Sequence, residues 1–228
     1  MCAQSLFRGA KVDFEFIKQV LPLYGKALLL TVRIGFTGII LSFALGLFCA
    51  LIRFARIPVA REIVRVYTEL SRNTPLLIQL FFLYFALPRL GVRLSSEACG
   101  IIGLTFLGGS YMAETFRSAL ETVGQVQMES GMCIGLSPLQ LVRYVVLPQA
   151  ALVSVPGIVA NMIFLLKETS VFSAVALADV MFVAKDLIGL YYKTEEALLL
   201  LVLSYFVILL PVALFSRIVE KRLARYRA

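Results

Sequence analysis

The 228-residue sequence contains no histidine, and that absence removes imidazole general-base catalysis, imidazole metal ligation and a histidine pH switch together. Charge is scarce as well. Only 16% of residues are charged, whereas 60% are hydrophobic and mean hydropathy is +0.90. A soluble globular domain is about 45–50% apolar and about a quarter charged, so this composition falls outside that class. It excludes disorder too, because the chain has far more apolar surface than it can leave in water. The four cysteines, Cys2, Cys49, Cys99 and Cys133, show no CxxC spacing. They read as core residues, not as a disulfide framework or a zinc site. No phosphate-binding GxxxxGK[ST] occurs, since Lys193-Thr194 lacks the glycines. No carboxylate cluster suggests a metal site and no nucleophile–base set is available, so an intramembrane enzyme is disfavoured.

What the chain has is long apolar runs. Crossing a hydrocarbon core of about 30 Å takes about 20 mostly apolar residues. Five runs qualify: 27–52, 66–87, 98–120, 152–177 and 197–215. They predict one all-α integral membrane domain over 1–228 with five transmembrane helices. Met1–Lys26 has too many charges for a secretory signal and no cleavage site follows it. Its mixture of Phe14, Phe16, Ile17, Val20 and Leu21 with charges predicts an N-terminal interfacial helix, a lead-in to the first span being the alternative.

The excess of 22 Lys+Arg over 14 Asp+Glu suggests anionic lipid before nucleic acid as a partner. Basic residues in the short loops set orientation. Eleven lie on the side holding Arg53, Arg56, Arg61, Arg65 and the cluster Arg217, Lys221, Arg222, Arg225 and Arg227, against eight on the other. The N-terminus is therefore expected outside and the C-terminus in the cytoplasm.

On that reading the segment from Glu121 to Pro148 faces the cytoplasm. It is long for an inter-helix loop, commonly about 2–8 residues. Val123, Val126, Met128, Met132, Ile134 and Leu136 make it apolar, and Gly131, Gly135 and Pro138 punctuate it. A short helix, a glycine turn and a second short helix fit. Such an exposed apolar element suits either a protein-docking surface or a helix packed on its own bundle.

Within the spans, the polar residues attract attention. Lys167 and Glu168 fall near the middle of the fourth run, where a charge costs at least about 2.5–3.5 kcal/mol. Ser154, Asn161 and Glu168 recur every seventh residue, which stacks them along one helix face. Glu168 reads either as a contact for a ligand's cationic group or as a structural ion pair, and Lys167 leans to structure. Pro75 should kink or break the second span and, with Thr74, supply a gate or pathway element. Glu69–Arg72 and Glu114–Arg117 share the three-residue spacing of a helix-end salt bridge.

Four stretches together resemble one family. Glu129-Ser130-Gly131-Met132-Cys133-Ile134-Gly135-Leu136-Ser137-Pro138, followed by Leu147-Pro148-Gln149-Ala150, is similar to the cytoplasmic signature loop of bacterial ABC importer permeases. It departs from the common form at Ser130 and Gly131, where two alanines are usual, and at Gly124, where proline is frequent. Glu69, Arg72, Asn73, Thr74, Pro75, Leu76, Leu77 and Gln79 resemble the second-span signature of the polar amino acid (histidine/glutamine/arginine-type) permeases, with Asn73 where glycine is usual. Tyr111, Met112, Ala113, Glu114, Phe116 and Arg117 resemble the third, and Leu166 to Ser170 the fourth, with Glu168 where aspartate is frequent.

The resemblance implies a type I ABC importer-like permease subunit in the bacterial inner membrane, carrying a polar or charged amino acid by alternating access. It implies a cytoplasmic coupling helix in which Glu129, Ser130, Gly131, Gly135, Leu136 and Ser137 dock on an ATPase. The implied partners are two ATP-binding subunits, which hold ATP and Mg, a second permease chain, identical or paralogous, and an extracytoplasmic amino-acid-binding protein. No cofactor is implied in this chain. The competing reading is an ion-gradient-driven secondary transporter or channel of similar span count.

Overall fold

A computed structural model describes residues 13–55, 57–123 and 125–227. Cys2, Arg8, Lys11, Arg56 and Gly124 lie outside the described residues, as do the side chains of Val126, Arg222, Arg225 and Arg227. The described residues are helical almost throughout: α1 Phe14–Phe54, α2 Pro58–Arg72, α3 Leu76–Phe81, α4 Ser96–Thr122, α5 Gln125–Cys133, α6 Pro138–Leu141, α7 Leu147–Glu168, α8 Val180–Tyr191 and α9 Thr194–Arg227. In lipid a backbone satisfies its own hydrogen bonds only as a helix or a closed barrel, and this sequence takes the first course.

The separate N-terminal interfacial helix is corrected over the described residues. Phe14–Lys26 continues without a break into the first apolar run, making one 41-residue helix. Asp13 caps it, its carboxylate accepting from the Phe16 N–H at 3.0 Å. The lead-in stays helical because Phe16, Val20, Tyr24 and Ala27 are buried against Val180, Val183, Leu187 and Ala197 of α8 and α9.

The expected break at Pro75 is severe. α2 and the helical stretch from Leu76 to Leu90 meet at 103°, because Pro75 cannot donate to the preceding turn. The 66–87 run is therefore no single rod.

Three helical stretches are long and apolar enough to cross a membrane, Phe14–Phe54, Pro138–Val175 and Thr194–Val219, with a fourth if the bent pair is one span. The 27-residue α4 has the length but carries Glu97, Glu114, Arg117 and Glu121. Its place explains this: α1, α2 and α7 all pack on it, so much of its surface meets protein, not lipid.

Small residues set the α1–α4 contact. A Cβ on Gly46 would stand 2.8 Å from the Ala113 backbone nitrogen. Ser42 donates to Gly38 O at 2.7 Å and lies 3.2 Å from Leu104 O across the interface. These helices run parallel, since Arg33 pairs with Glu97 at one end and Arg53 with Glu114 at the other. α7 runs back, placing Gly157 on Thr115 and Leu165 on Gly108.

Candidate functional site: a polar cleft and a short helix pair

Three helices supply the cleft. α2 is pinned to α4 by Tyr67 and Ser71, whose hydroxyls donate to Phe106 O at 2.7 and 2.9 Å. Phe106 O is thereby shared, and the last turn of α2 is held against the middle of α4. There Arg72 lies over the Tyr111 ring at 5.2 Å, a cation–π contact. From α7, Asn161 Nδ2 donates to Thr115 Oγ1 at 2.9 Å.

Between these elements lie two adjoining cavities of about 430 and 450 Å³. They share Arg72, Tyr111 and Glu114; the first adds Thr115, Gly157 and Asn161, the second Arg53, Arg65 and Glu69. Glu114 is held by Arg117, with Nε to Oε2 at 3.0 Å, and by Arg53 at 3.5 Å; Arg117 also reaches Glu121. Arg72 makes no ion pair among the described residues. The cleft thus offers a carboxylate fixed in place and a guanidinium free to take an anion.

The Glu114–Arg117 pairing expected from spacing is present, but Glu69 does not pair with Arg72. Glu69 faces Arg65 at 3.9 Å, since Arg72 is drawn to Tyr111 on the neighbouring helix. Of the six pathway candidates, Asn161 lines the cleft. Ser154 is buried, its hydroxyl donating to Ala151 O at 2.9 Å. Thr74 donates to Leu70 O at 2.8 Å and borders an apolar groove with Ile78 and Phe82. Pro75 caps α3.

Lys167, exposed, and Glu168, half-buried, end α7 instead of sitting mid-span. The chain turns into a 3-10 segment, Thr169–Val175, directly after them. Arg53, Tyr111 and Thr115 escaped the sequence reading of the site. Asn161 and Thr115 come together only through the α4–α7 packing, and a one-helix periodicity carries no trace of it.

The helix pair beyond α4 takes the expected shape. Gly135 stops α5 in the left-handed region at φ +85°, with its N–H on Met132 O at 3.0 Å and Leu136 N–H on Gly131 O at 3.1 Å. Ser137 then starts α6 with a capping box, donating its N–H to Gln140 Oε1 at 2.9 Å. Gly131 is buried where a Cβ would strike Leu141, so its smallness lets α5 close on α6. Met128 packs on Ala119, Val123, Val146 and Ala150, whereas Met132, Ile134 and Leu139 stay exposed. Glu129, Ser130 and Ser137 are also exposed, and Leu136 is half-buried. Cys133 is exposed on α5, correcting its reading as a core residue, while Cys49 and Cys99 are buried.

Residues 42–225 match the family described as the binding-protein-dependent transport system inner membrane component. The chain is 36% identical over 197 residues to the probable glutamine ABC transporter permease protein GlnP of Bacillus subtilis, covering 85% of this chain and 90% of that one. It is 33% identical over 196 residues to the probable amino-acid ABC transporter permease protein PatM of Vibrio harveyi, covering 85% and 88%. Among solved structures, an amino acid ABC transporter crystallised with histidines superposes with a TM-score of 0.87 at 28% identity, over 93% of this chain and all of that one. The match of the family to most of the chain, together with relatives above 30% identity over their own lengths, settles membership: the chain belongs to the inner membrane components of binding-protein-dependent ABC transport systems.

Proposed function

We propose that the chain forms the translocation pathway of an ATP-driven importer for a polar or charged amino acid, with the cleft between α2, α4 and α7 as the solute's station. One observation carries this reading: Arg72 and Glu114, of opposite charge, line the same cavities beside the hydrogen-bonding groups of Thr115 and Asn161. A free amino acid carries a carboxylate and an ammonium a few atoms apart, and such a lining complements both. Ser154 and Glu168 prolong the Asn161 face along α7 in either direction, and the Thr74–Pro75 break supplies the hinge. The names of the relatives, glutamine and amino-acid permeases, agree with this solute class.

In the membrane, α1, the bent α2–α3 pair, α4, α7 and α9 make five passes, with the N-terminus outside and the arginine-rich C-terminus in the cytoplasm. α5 and α6 then face the cytoplasm, where the exposed Met132, Ile134 and Leu139 suit an apolar groove on an ATP-binding subunit. Two such subunits supply ATP and Mg, a second permease chain completes the pathway, and an extracytoplasmic amino-acid-binding protein delivers the solute. The test is reconstitution in lipid with an ATP-binding subunit and an amino-acid-binding protein from the same organism. Loaded binding protein should stimulate ATP hydrolysis and ATP-dependent uptake of a polar amino acid. Uptake driven by an ion gradient without ATP overturns the proposal.

A further inference from the structure

The segment between α7 and α8 contains a buried acid that the cleft does not use. Asp179 is wholly inaccessible and caps α8, its Oδ1 accepting from the Phe182 N–H at 2.8 Å. Its other oxygen, Oδ2, is buried without a hydrogen-bond partner, and the same holds for the hydroxyl of Tyr205 on α9. Tyr205 feels the Asp179 charge and stands beside the side chains of Thr169 and Ser170. Thr169 spends its proton on Leu166 O at 2.7 Å, and Thr31 of α1 spends its own on Ala27 O at 2.9 Å while accepting from the Val180 N–H at 3.3 Å. A buried carboxylate left in this state must gain a proton or a cation.

We infer that Asp179 is a proton-binding switch: in the closed bundle its protonated Oδ2 faces the Tyr205 hydroxyl, and loss of that proton loosens the joint between the Thr169–Val175 segment and α8. A proton on Oδ2 turns a stranded acceptor into a donor and gives the phenol oxygen something to accept. Among the described residues, Lys185 of α8 is the charged group that acts on the carboxyl. α1 contributes the uncharged Thr31, the 3-10 segment Thr169 and Ser170, and α9 the phenol of Tyr205. Asp179 lies between the membrane-crossing stretches ending at Val175 and beginning at Thr194, and burial pushes its carboxyl up to about 6. Thr169 and Ser170 directly follow Glu168, so the joint is continuous with the end of α7.

The inference is independent of the transported solute and is tested on the purified chain in lipid. Asp179→Asn keeps the capping oxygen and the shape but cannot titrate. The wild type should show an infrared signal of a protonated carboxyl that disappears with a midpoint near 6, and the Asp179→Asn protein should lack it. Amide exchange in the first turn of α8 should match in the two proteins at about pH 5 and be several-fold faster in the wild type at about pH 8. Tyr205→Phe, which removes the oxygen that accepts from the protonated Oδ2, should shift the midpoint downward because the protonated form loses its acceptor. A carboxyl signal unchanged in Asp179→Asn, equal exchange at both pH values, or an unmoved midpoint in Tyr205→Phe each overturns the switch.

Discussion

Asn161 of α7 donates to Thr115 of α4 at 2.9 Å, and one turn away Gly157 would place a Cβ 2.7 Å from the Thr115 methyl. One threonine therefore fixes both the distance and the rotation of α7 at the wall of the cleft. Interhelical hydrogen bonds within membranes average about 0.6 kcal/mol, so Asn161→Ala should move the melting temperature little. Its effect should fall on solute recognition, with the concentration for half-maximal ATPase stimulation rising up to about 10-fold, or about 1.4 kcal/mol. A large loss of stability with unchanged stimulation assigns Asn161 to packing instead.

Three glycines of α1 separate packing from propensity. Gly46→Ala drives a methyl group against the Ala113 backbone at 2.8 Å, which cannot move aside, whereas Gly38→Ala meets only the Leu104 side chain at 2.6 Å. The first should cost about 1–3 kcal/mol and the second less. Gly25 has nothing within 4 Å of a new Cβ, so Gly25→Ala should raise stability by up to about 1 kcal/mol through helix propensity. Unfolding in mixed micelles ranks the three; Gly46→Ala as mild as Gly38→Ala contradicts the backbone contact.

Asp13 ties the start of α1 to the start of α9. Lys193 reaches it at 2.9 Å, and its own N–H donates to Glu196 Oε1 at 3.0 Å. The Phe16 amide, and then the Lys193 ammonium, hold the Asp13 carboxyl below the usual carboxylate range, while the carboxylate holds Lys193 above the usual ammonium range. Signs follow from linkage. The carboxyl contributes above its unfolded value, about 3.9, and that contribution goes as pH falls through the lowered one. The ammonium contributes below its unfolded value, about 10.4, and loses that as pH rises through the raised one. Protection of the first α1 amides should be flat across neutral pH and fall at both extremes, with Asp13→Asn removing the acid limb while keeping the cap.

How much of this was legible varies with how local the cause is. The Pro75 break and the glycine turn between two short helices depend on a few neighbouring residues, and both are present, the turn falling at Gly135; the Ser137 cap of α6 is equally local but was not read from the sequence. The length of α1 was not legible, because Phe14–Lys26 stays helical by packing on α8 and α9, nearly the whole chain away. Charge spacing misled at Glu69, where a partner on α4 took Arg72. Glu168 looked mid-span because the apolar run continues past it, but the backbone changes to a 3-10 turn there with no change in hydropathy.

Gly135 bears on docking. At φ +85° a residue with a Cβ is strained, by about 1–2 kcal/mol, although nothing lies within 4 Å of the new atom. Gly135→Ala should therefore leave the bundle intact and misplace α5 relative to α6. In the reconstituted importer, ATP hydrolysis should persist while solute uptake falls several-fold, and charge reversal at the exposed Glu129 should do the same. Normal uptake by both variants with the ATPase still bound rejects the docking role.

Glu168 decides how far the pathway extends beyond the cleft. It is half-buried at the end of α7, and no salt bridge to it occurs among the described residues. Were it the buried partner of a protein cation, Glu168→Gln would strand that cation and cost about 3–5 kcal/mol. With no such partner in place, the substitution should leave the melting temperature near that of the wild type. If a cationic group of the solute passes this carboxylate, the same variant should lose uptake and solute-stimulated ATP hydrolysis while keeping basal hydrolysis. Lys167, its exposed neighbour, points about 100° away around the helix, so Lys167→Gln should alter neither. Melting temperature and uptake measured on one preparation separate the cases. A large drop in melting temperature without a specific loss of solute response makes Glu168 a structural group and ends the pathway at Asn161.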